Sequence, residues 1–343
     1  MEQEKQLFSL AKKLYEEKFW NDYWDTDLIA IQLENQKEPI MISILGKSEQ
    51  NYGFLFYRNS KELSYFFDIV EQSNWRNQRK PGEILQLQKC LALEYENRLD
   101  LDKKAYQRIK SSGISFRGKK AWPIFMDYCP GYYPYPAEKA DERMLIDVME
   151  KLLDTAKDFR KKLAFYETER MSQEILLRTY HKDGSYEDGV LNLAKYMTNG
   201  AAHIEEVPVL VTKFEMKRVA SQKFGTSIWE LDVGFIETPI IPSEGGRPYF
   251  PTLLLVVNSE TGQIICSEFI KPGDTESLQR LLIQLILSEN GRPATIVVDA
   301  CRYTHIACDL GKLFSQLDIE LTPIQKLPLI SVIKEDMLEY LEQ

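Results

Sequence analysis

Residues 229–235 read WELDVGF, residues 252–258 TLLLVVN, residues 260–269 ETGQIICSEF and residues 294–299 ATIVVD. TLLLVVN is a continuous apolar run between a Gly/Pro-rich loop (239–251) and the turn Glu260-Thr261-Gly262, the pattern of a strand buried on both faces. The turn leads into a second run, 263–269, so the two form a hairpin. Before them, 226–237 reads as a strand. After them, 275–288 places Leu and Ile on one helical face behind a Thr cap. Gly291-Arg292-Pro293 breaks that helix, and 295–298 is another buried strand ending at Asp299. Residues 303–316 then read as helix, 319–322 as a short strand and 329–342 as a last helix. The order from Thr226 is β-β-β-α-β-α-β-α. It predicts a mixed sheet with three antiparallel strands first and the 295–298 strand parallel to the first of them.

Upstream the texture changes. Leu7, Leu10, Ala11, Leu14 and Tyr15 recur at helical spacing within residues 3–18. Three β-rich runs follow (28–33, 40–45 and 52–57) and suggest a meander. Helices are expected over 61–70 and 101–111, the latter stopped by Gly113. A loop is expected over 74–82, and 85–95 fits a strand or a helix. Residues 115–136 hold four prolines and a dense aromatic set, which predicts a short strand, 122–128, followed by a packed aromatic loop. A long amphipathic helix is expected over 137–163, with a polar loop at 183–188 and a strand at 206–212. The expected division is an α+β domain over 1–165 and an α/β domain over 170–343. Trp122, Phe125, Tyr132 and Tyr133 are expected to pack on the first domain, against the helix that starts near Ala137.

Composition bounds the function. The 343 residues are 44% hydrophobic, 28% charged and 11% aromatic, which is globular rather than disordered. No apolar run approaches the ~20 residues of a membrane helix. The first eighteen residues lack a secretory h-region, so a cytoplasmic location is expected. Five cysteines (Cys90, Cys129, Cys266, Cys301 and Cys308) form no CxxC pair and read as reduced thiols. Residues 201–343 carry 12 Lys/Arg against 20 Asp/Glu, a net of −8 out of the chain's −9. That balance disfavours nucleic acid as a partner, because binders usually show a basic face. No membrane partner is implied; an unidentified protein partner is expected.

Several motifs carry a resemblance. Trp229-Glu230-Leu231-Asp232, then Gly246-Arg247-Pro248-Tyr249 before TLLLVVN, then Gly291-Arg292-Pro293 before a strand ending in Asp299, resemble the ribonuclease H-like catalytic core of DDE transposases and integrases. Glu335 follows Asp299 with 35 residues between them, a spacing those families favour. The resemblance implies that Asp232, Asp299 and Glu335 hold two Mg²⁺ or Mn²⁺ ions for phosphoryl transfer, oxygen ligands suiting these hard cations. It also has departures: Gln325-Lys326-Leu327-Pro328 stands where those families carry an Asn-Pro segment. A strand-end turn, a half-exposed strand and an acidic helix face account for the same three residues without a metal. A second resemblance spans the chain. Trp122-Pro123-Ile124-Phe125, Pro130-Gly131-Tyr132-Tyr133-Pro134-Tyr135 and Arg247-Pro248-Tyr249-Phe250-Pro251 are similar to the signatures of an uncharacterised bacterial two-domain family, with Tyr135 where that family usually has Trp.

Other sites are thin. His181, His203 and His305 are far apart and no HExxH occurs, so zinc is not expected. His305 reads as a helix-surface residue, and Cys301 and Cys308 as apolar fillers. The aromatic loop 122–135 reads chiefly as a satellite core, with base stacking or proline-rich peptide binding as its other uses. The reading is therefore an α+β domain followed by a ribonuclease H-like α/β domain, serving as a non-catalytic interaction or regulatory protein. The alternative is a divalent-metal-dependent nuclease or strand-transfer enzyme using Asp232, Asp299 and Glu335.

Overall fold

The computed structural model describes residues 2–74, 86–169, 174–201, 206–236, 238–243, 245–289, 291–300 and 302–341. The loop expected over 74–82 lies almost wholly outside them, as do His203 and Cys301. Two compact units are present: residues 1–130 with 134–203, and residues 204–343 with 131–133.

The first unit is built on an eight-stranded sheet. Its strands are β1 (Ile29–Gln32), β2 (Ile40–Leu45), β3 (Tyr52–Tyr57), β4 (Cys90–Glu96), β5 (Trp122–Tyr128), β6 (Tyr135–Pro136), β7 (Glu174–Tyr180) and β8 (Tyr186–Asn192). They lie in the order β6-β5-β4-β3-β2-β1-β7-β8. All neighbours are antiparallel except β1 and β7. Both faces of β1 to β4 are covered, which is why these strands read as nearly unbroken apolar runs. Ile29, Ile31, Ile42, Phe54 and Leu91 face one core with residues of α1 (Glu2–Glu17) and α4 (Lys139–Phe159). The alternate residues Ala30, Met41, Leu55 and Ala92 face a second, smaller core with α2 (Ser60–Asn74) and α6 (Leu193–Ala201). The 9-residue α3 (Lys103–Ser111) starts at Asp102, whose carboxylate accepts from Ala105 N at 2.6 Å, and α5 (Leu163–Glu169) precedes β7.

Three expectations change here. The boundary expected at 165–170 falls at 203/204, because β7 pairs in parallel with β1 and β8 completes the hairpin. The expected polar loop at 183–188 is only the turn of that hairpin plus the start of β8. Charged Glu187 and Asp188 concealed the strand: Asp188 pairs with the buried Arg178, at 2.7 Å from Nε. The aromatic expectation divides. Phe125 is buried with Ala137 and meets Phe8 at 5.5 Å, and Trp122 packs against the same core. Tyr132 and Tyr133 belong instead to the second unit. Gly131 takes a left-handed turn (φ 74°), its carbonyl accepts from Phe250 N at 2.7 Å and Tyr133 N donates to Pro248 O at 2.9 Å. A Cβ on Gly131 would meet Pro272 at 2.4 Å, so both its conformation and its surroundings call for glycine.

The second unit has a five-stranded sheet. β9 (Ile228–Phe235), β10 (Thr252–Asn258) and β11 (Ile264–Ile270) are antiparallel neighbours, and β12 (Thr295–Asp299) runs parallel to β9 and to β13 (Glu320–Ile324). The order is β11-β10-β9-β12-β13, with the strand directions expected above. Trp229, Leu231, Leu254, Val256, Ile296 and Val298 face a core shared with α8 (Thr275–Ser288) and α9 (Tyr303–Gln316). Leu253, Leu255 and Val257 face the other way, onto Leu327 and Ile330 at the start of α10 (Pro328–Leu341). Residues 206–212 are not a strand. They run extended without a ladder, Val207 N donating to Cys308 O and Leu210 N to Gln279 Oε1, both at 2.8 Å. Their alternating valines pack onto that helix-covered core and not at a sheet edge. Thr212 then caps α7 (Lys213–Ala220) in a reciprocal capping box with Glu215. The cap of α8 is Asp274 rather than Thr275, its carboxylate accepting from Ser277 N at 3.1 Å. No described helix is long and apolar enough to cross a membrane.

Candidate functional site

β9 carries two acids two residues apart, Glu230 and Asp232, so both point to one face. Register decides which face. Glu230 stands opposite Val257 and Asp232 opposite Leu255, on the side covered by α10. Both acids are therefore buried, 2% and 4% exposed. A buried carboxylate must find hydrogen bonds and opposite charge, and α10 supplies partners to both.

Glu230 serves the start of that helix. Its carboxylate accepts from Leu329 N at 3.1 Å and Ile330 N at 2.9 Å. The first backbone N–H groups of a helix have no partner within it, and the helix dipole favours an anion there. Pro328, the first helical residue, has no N–H to satisfy. Asp232 lies farther along β9 and meets Lys334, whose Nζ pairs directly with Oδ2. Two residues of strand advance ~6.6 Å and four of helix ~6 Å, so α10 keeps pace with β9 and delivers a second partner to the second acid.

Asp232 has another cation. Arg302 Nη1 lies 3.1 Å from Oδ1 and donates to Val233 O at 2.8 Å. Arg302 follows the end of β12, and its backbone N–H donates to Asp299 O at 2.9 Å, which fixes where its side chain starts. Gly234 leaves room for the guanidinium: a Cβ there would stand 1.9 Å from Nη1. Asp232 thus sits between two positive groups delivered by different elements, and the paired side chains of Arg302 and Lys334 are 16% and 33% exposed.

The three acids named by the sequence fall as follows. Val297 pairs with Glu230 across the parallel β12/β9 ladder. Asp299 and Asp232 each lie two residues beyond that pair, so they occupy neighbouring strands at one level and one face. Glu335 lies on α10, next to Lys334, and its side chain is outside the described residues. Among the described residues no group of three or more His, Cys, Asp or Glu could hold a metal ion, and the Glu335 side chain is not part of that description. His305 is on the exposed side of α9. Cys266 is a poor nucleophile: burial first, then the charge of Glu268, pushes its thiol up to about 11. Sequence reasoning missed Glu230, Gly234, Arg302 and Lys334. The available signal was the pair of acids at i and i+2 within an otherwise apolar strand, which requires cations or N–H groups from elsewhere.

Comparison with known proteins bears on the whole chain. Residues 5–178 match a domain of unknown function, DUF7309, and residues 215–338 match a second, DUF6930. The chain belongs to the DUF7309 family. It joins that domain to a DUF6930 domain, the two-domain arrangement expected from the tryptophan-proline and arginine-proline signatures. The DUF7309 match ends inside β7, and the DUF6930 match starts inside α7 and takes in the whole five-stranded sheet. No curated protein matches the chain. Two solved structures are similar over about a third of the chain: the HTLV-2 integrase catalytic core domain in complex with magnesium, in trimeric and dimeric forms. The identities are 17% and 18%, the TM-score is 0.24 in both, and they cover 33% and 34% of this chain and 66% and 73% of those chains.

Proposed function

We propose that the second unit is a ribonuclease H-like scaffold whose acidic strand has been turned to structural use, and that the protein works as a non-catalytic interaction or regulatory module in the cytoplasm. The observation that carries this reading is the double charge compensation of Asp232 by Arg302 and Lys334. Each cation is within contact distance of the carboxylate. A divalent ion ligated by Asp232 would lie about 4 Å from one or both, a separation at which a double and a single charge repel by roughly 8 kcal/mol at an effective dielectric of 20. The residues around Asp232 therefore do not fit a two-metal centre. Strand order and directions support the scaffold, since an antiparallel β9-β10-β11 unit followed by parallel β12 and β13 is the arrangement that the integrase-like motifs imply.

The test is a thermal melt of the full chain with and without Mn²⁺, for wild type and Asp299→Asn, beside a nuclease assay on single- and double-stranded DNA. No Mn²⁺-dependent shift and no cleavage are expected. A metal shift with cleavage, both lost in Asp299→Asn, would instead establish the nuclease reading with Asp232, Asp299 and Glu335 as ligands.

A further inference from the structure

The edge strand β11 and helix α8 frame an open groove of about 450 Å³, lined by Ile265, Cys266 and Glu268 from the strand and by Leu281, Gln284 and Leu285 from the helix. An exposed sheet edge offers unpaired backbone N–H and C=O groups to any other chain, and proteins normally blunt it with proline, charge or brevity. The other described edges follow that rule. β13 carries Pro323, β8 carries Glu187 and Asp188, and β6 is two residues long. β11, reading IICSEFI, has no proline and a single charge. A bulge at its start, where the register shifts between Val256 and Val257, leaves the stretch from Cys266 to Ile270 regular.

The two faces of this edge are both prepared for side chains. Cys266 and Glu268 stand opposite Val256 and Leu254, on the face that α8 covers, and line the groove. Phe269 stands opposite Leu253, on the other face, and remains 59% exposed, while Ile264, 45% exposed at the bulge, adds to the groove lining. An added strand would place alternate side chains in the groove and on Phe269, which is how strand addition combines main-chain bonding with side-chain selectivity.

We propose that β11 is a docking edge for an extended segment of a partner protein, apolar at alternate positions and carrying a Lys or Arg that pairs with Glu268. The charge identifies the occupant. Glu268 is the one charged side chain in the groove lining, and residues 201–343 carry a net charge of −8. A second copy would bring the same negative charge to this edge, whereas a basic strand neutralises it. The proposal does not depend on the state of the Asp232 cluster.

A library of random short peptides displayed on phage, selected on the full-length protein, provides the probe. Peptides alternating β-branched or aromatic residues and containing Lys or Arg are expected to be enriched. Their synthetic versions should bind about tenfold more weakly to Glu268→Lys, the charge pair having become a repulsion. They should not bind Ser267→Pro, which interrupts the edge, and sedimentation should show wild type to be monomeric. Thermal melts check folding, and Glu268→Lys, an exposed substitution, keeps the test valid if Ser267→Pro fails to fold. Absence of enrichment, enrichment of acidic peptides, or affinity unchanged by Glu268→Lys would overturn the proposal. So would a dimer that Ser267→Pro dissociates, which would assign the edge to a second copy.

Discussion

Replacing Asp232 by Asn separates the two uses of an acid on β9 by the sign of its effect on stability. The substitution keeps the size of the side chain and removes its charge. Asp232 is 4% exposed and bonds Arg302 and Lys334, so the variant removes a buried charge to which both cations pair. Breaking a buried ion pair by removing one partner costs about 3–5 kcal/mol. The two cations keep some solvent access, and an exposed pair is worth only about 0–1 kcal/mol. The expected loss is therefore intermediate, about 2–3 kcal/mol, or a melting temperature lower by roughly 6–12 °C for a unit of this size. Urea denaturation of the full chain, followed by tryptophan fluorescence, measures it, and the buried Trp229 on the same strand reports on the second unit. Lys334→Met should cost less, about 1 kcal/mol, because Arg302 still compensates the carboxylate. The double variant should be less destabilised than the sum of the two single changes. If Asp232 instead faced other carboxylates in an empty metal site, removing its charge would relieve repulsion. An Asp232→Asn protein as stable as wild type, or more so, refutes the compensation argument.

Gly234→Ala should act on the same cluster at a distance, because its Cβ would displace the Arg302 guanidinium. Loss of about 1–2 kcal/mol in urea is expected, and much less when the substitution is made in an Arg302→Met background. Phe125→Ala should destabilise the first unit by about 3–5 kcal/mol in calorimetry, since the ring is 3% exposed and packs against Phe8, while Tyr133→Ala, a half-exposed side chain, should cost far less. Arg178 holds the carboxyl of Asp188 below the usual carboxylate range by hydrogen bonding, helped by Lys162. A depressed folded-state pKa gives stability that is present above the unfolded value and lost as pH falls through the folded one. The difference in stability between wild type and Asp188→Asn should therefore hold from neutral pH down to about 4 and close below it, as read by urea titrations across that range.

Strand placement was legible wherever burial on both faces made a run apolar throughout. TLLLVVN, ATIVVD and the three strands of the meander carry this signal. β7 and β8 were illegible for the opposite reason. ILLRTY contains Arg178, which is buried but ion-paired, and YEDGVLN faces solvent, so neither shows the apolar run or clean alternation of a core strand. Residues 206–212 err the other way: their alternation is real, yet it serves packing against helices. The fate of Tyr132 and Tyr133 could not be read locally, because Tyr133 N donates to Pro248 O and the neighbouring Gly131 O accepts from Phe250 N, partners more than a hundred residues away.

At the candidate site, residue type and spacing were visible and charge balance was not. Asp232 lies within β9 and Asp299 at the end of β12, each two residues beyond the Glu230/Val297 pair of these parallel strands. Whether such a pair attracts a metal depends on the cations that reach it, and these come from outside the motif. Arg302 arrives from the turn after β12, and Lys334 from a helix whose start is fixed by Glu230. That last contact links the two acids physically. By capping α10, Glu230 sets the helix against β9, and the matched advance of helix and strand then carries Lys334 to Asp232. A spacing count from Asp299 to Glu335 selects one residue on that helix, while the preceding residue, a lysine, determines the charge at Asp232. An acid motif on a core strand is thus read correctly only together with the helix that covers it, because burial obliges every carboxylate to be balanced by a partner close at hand.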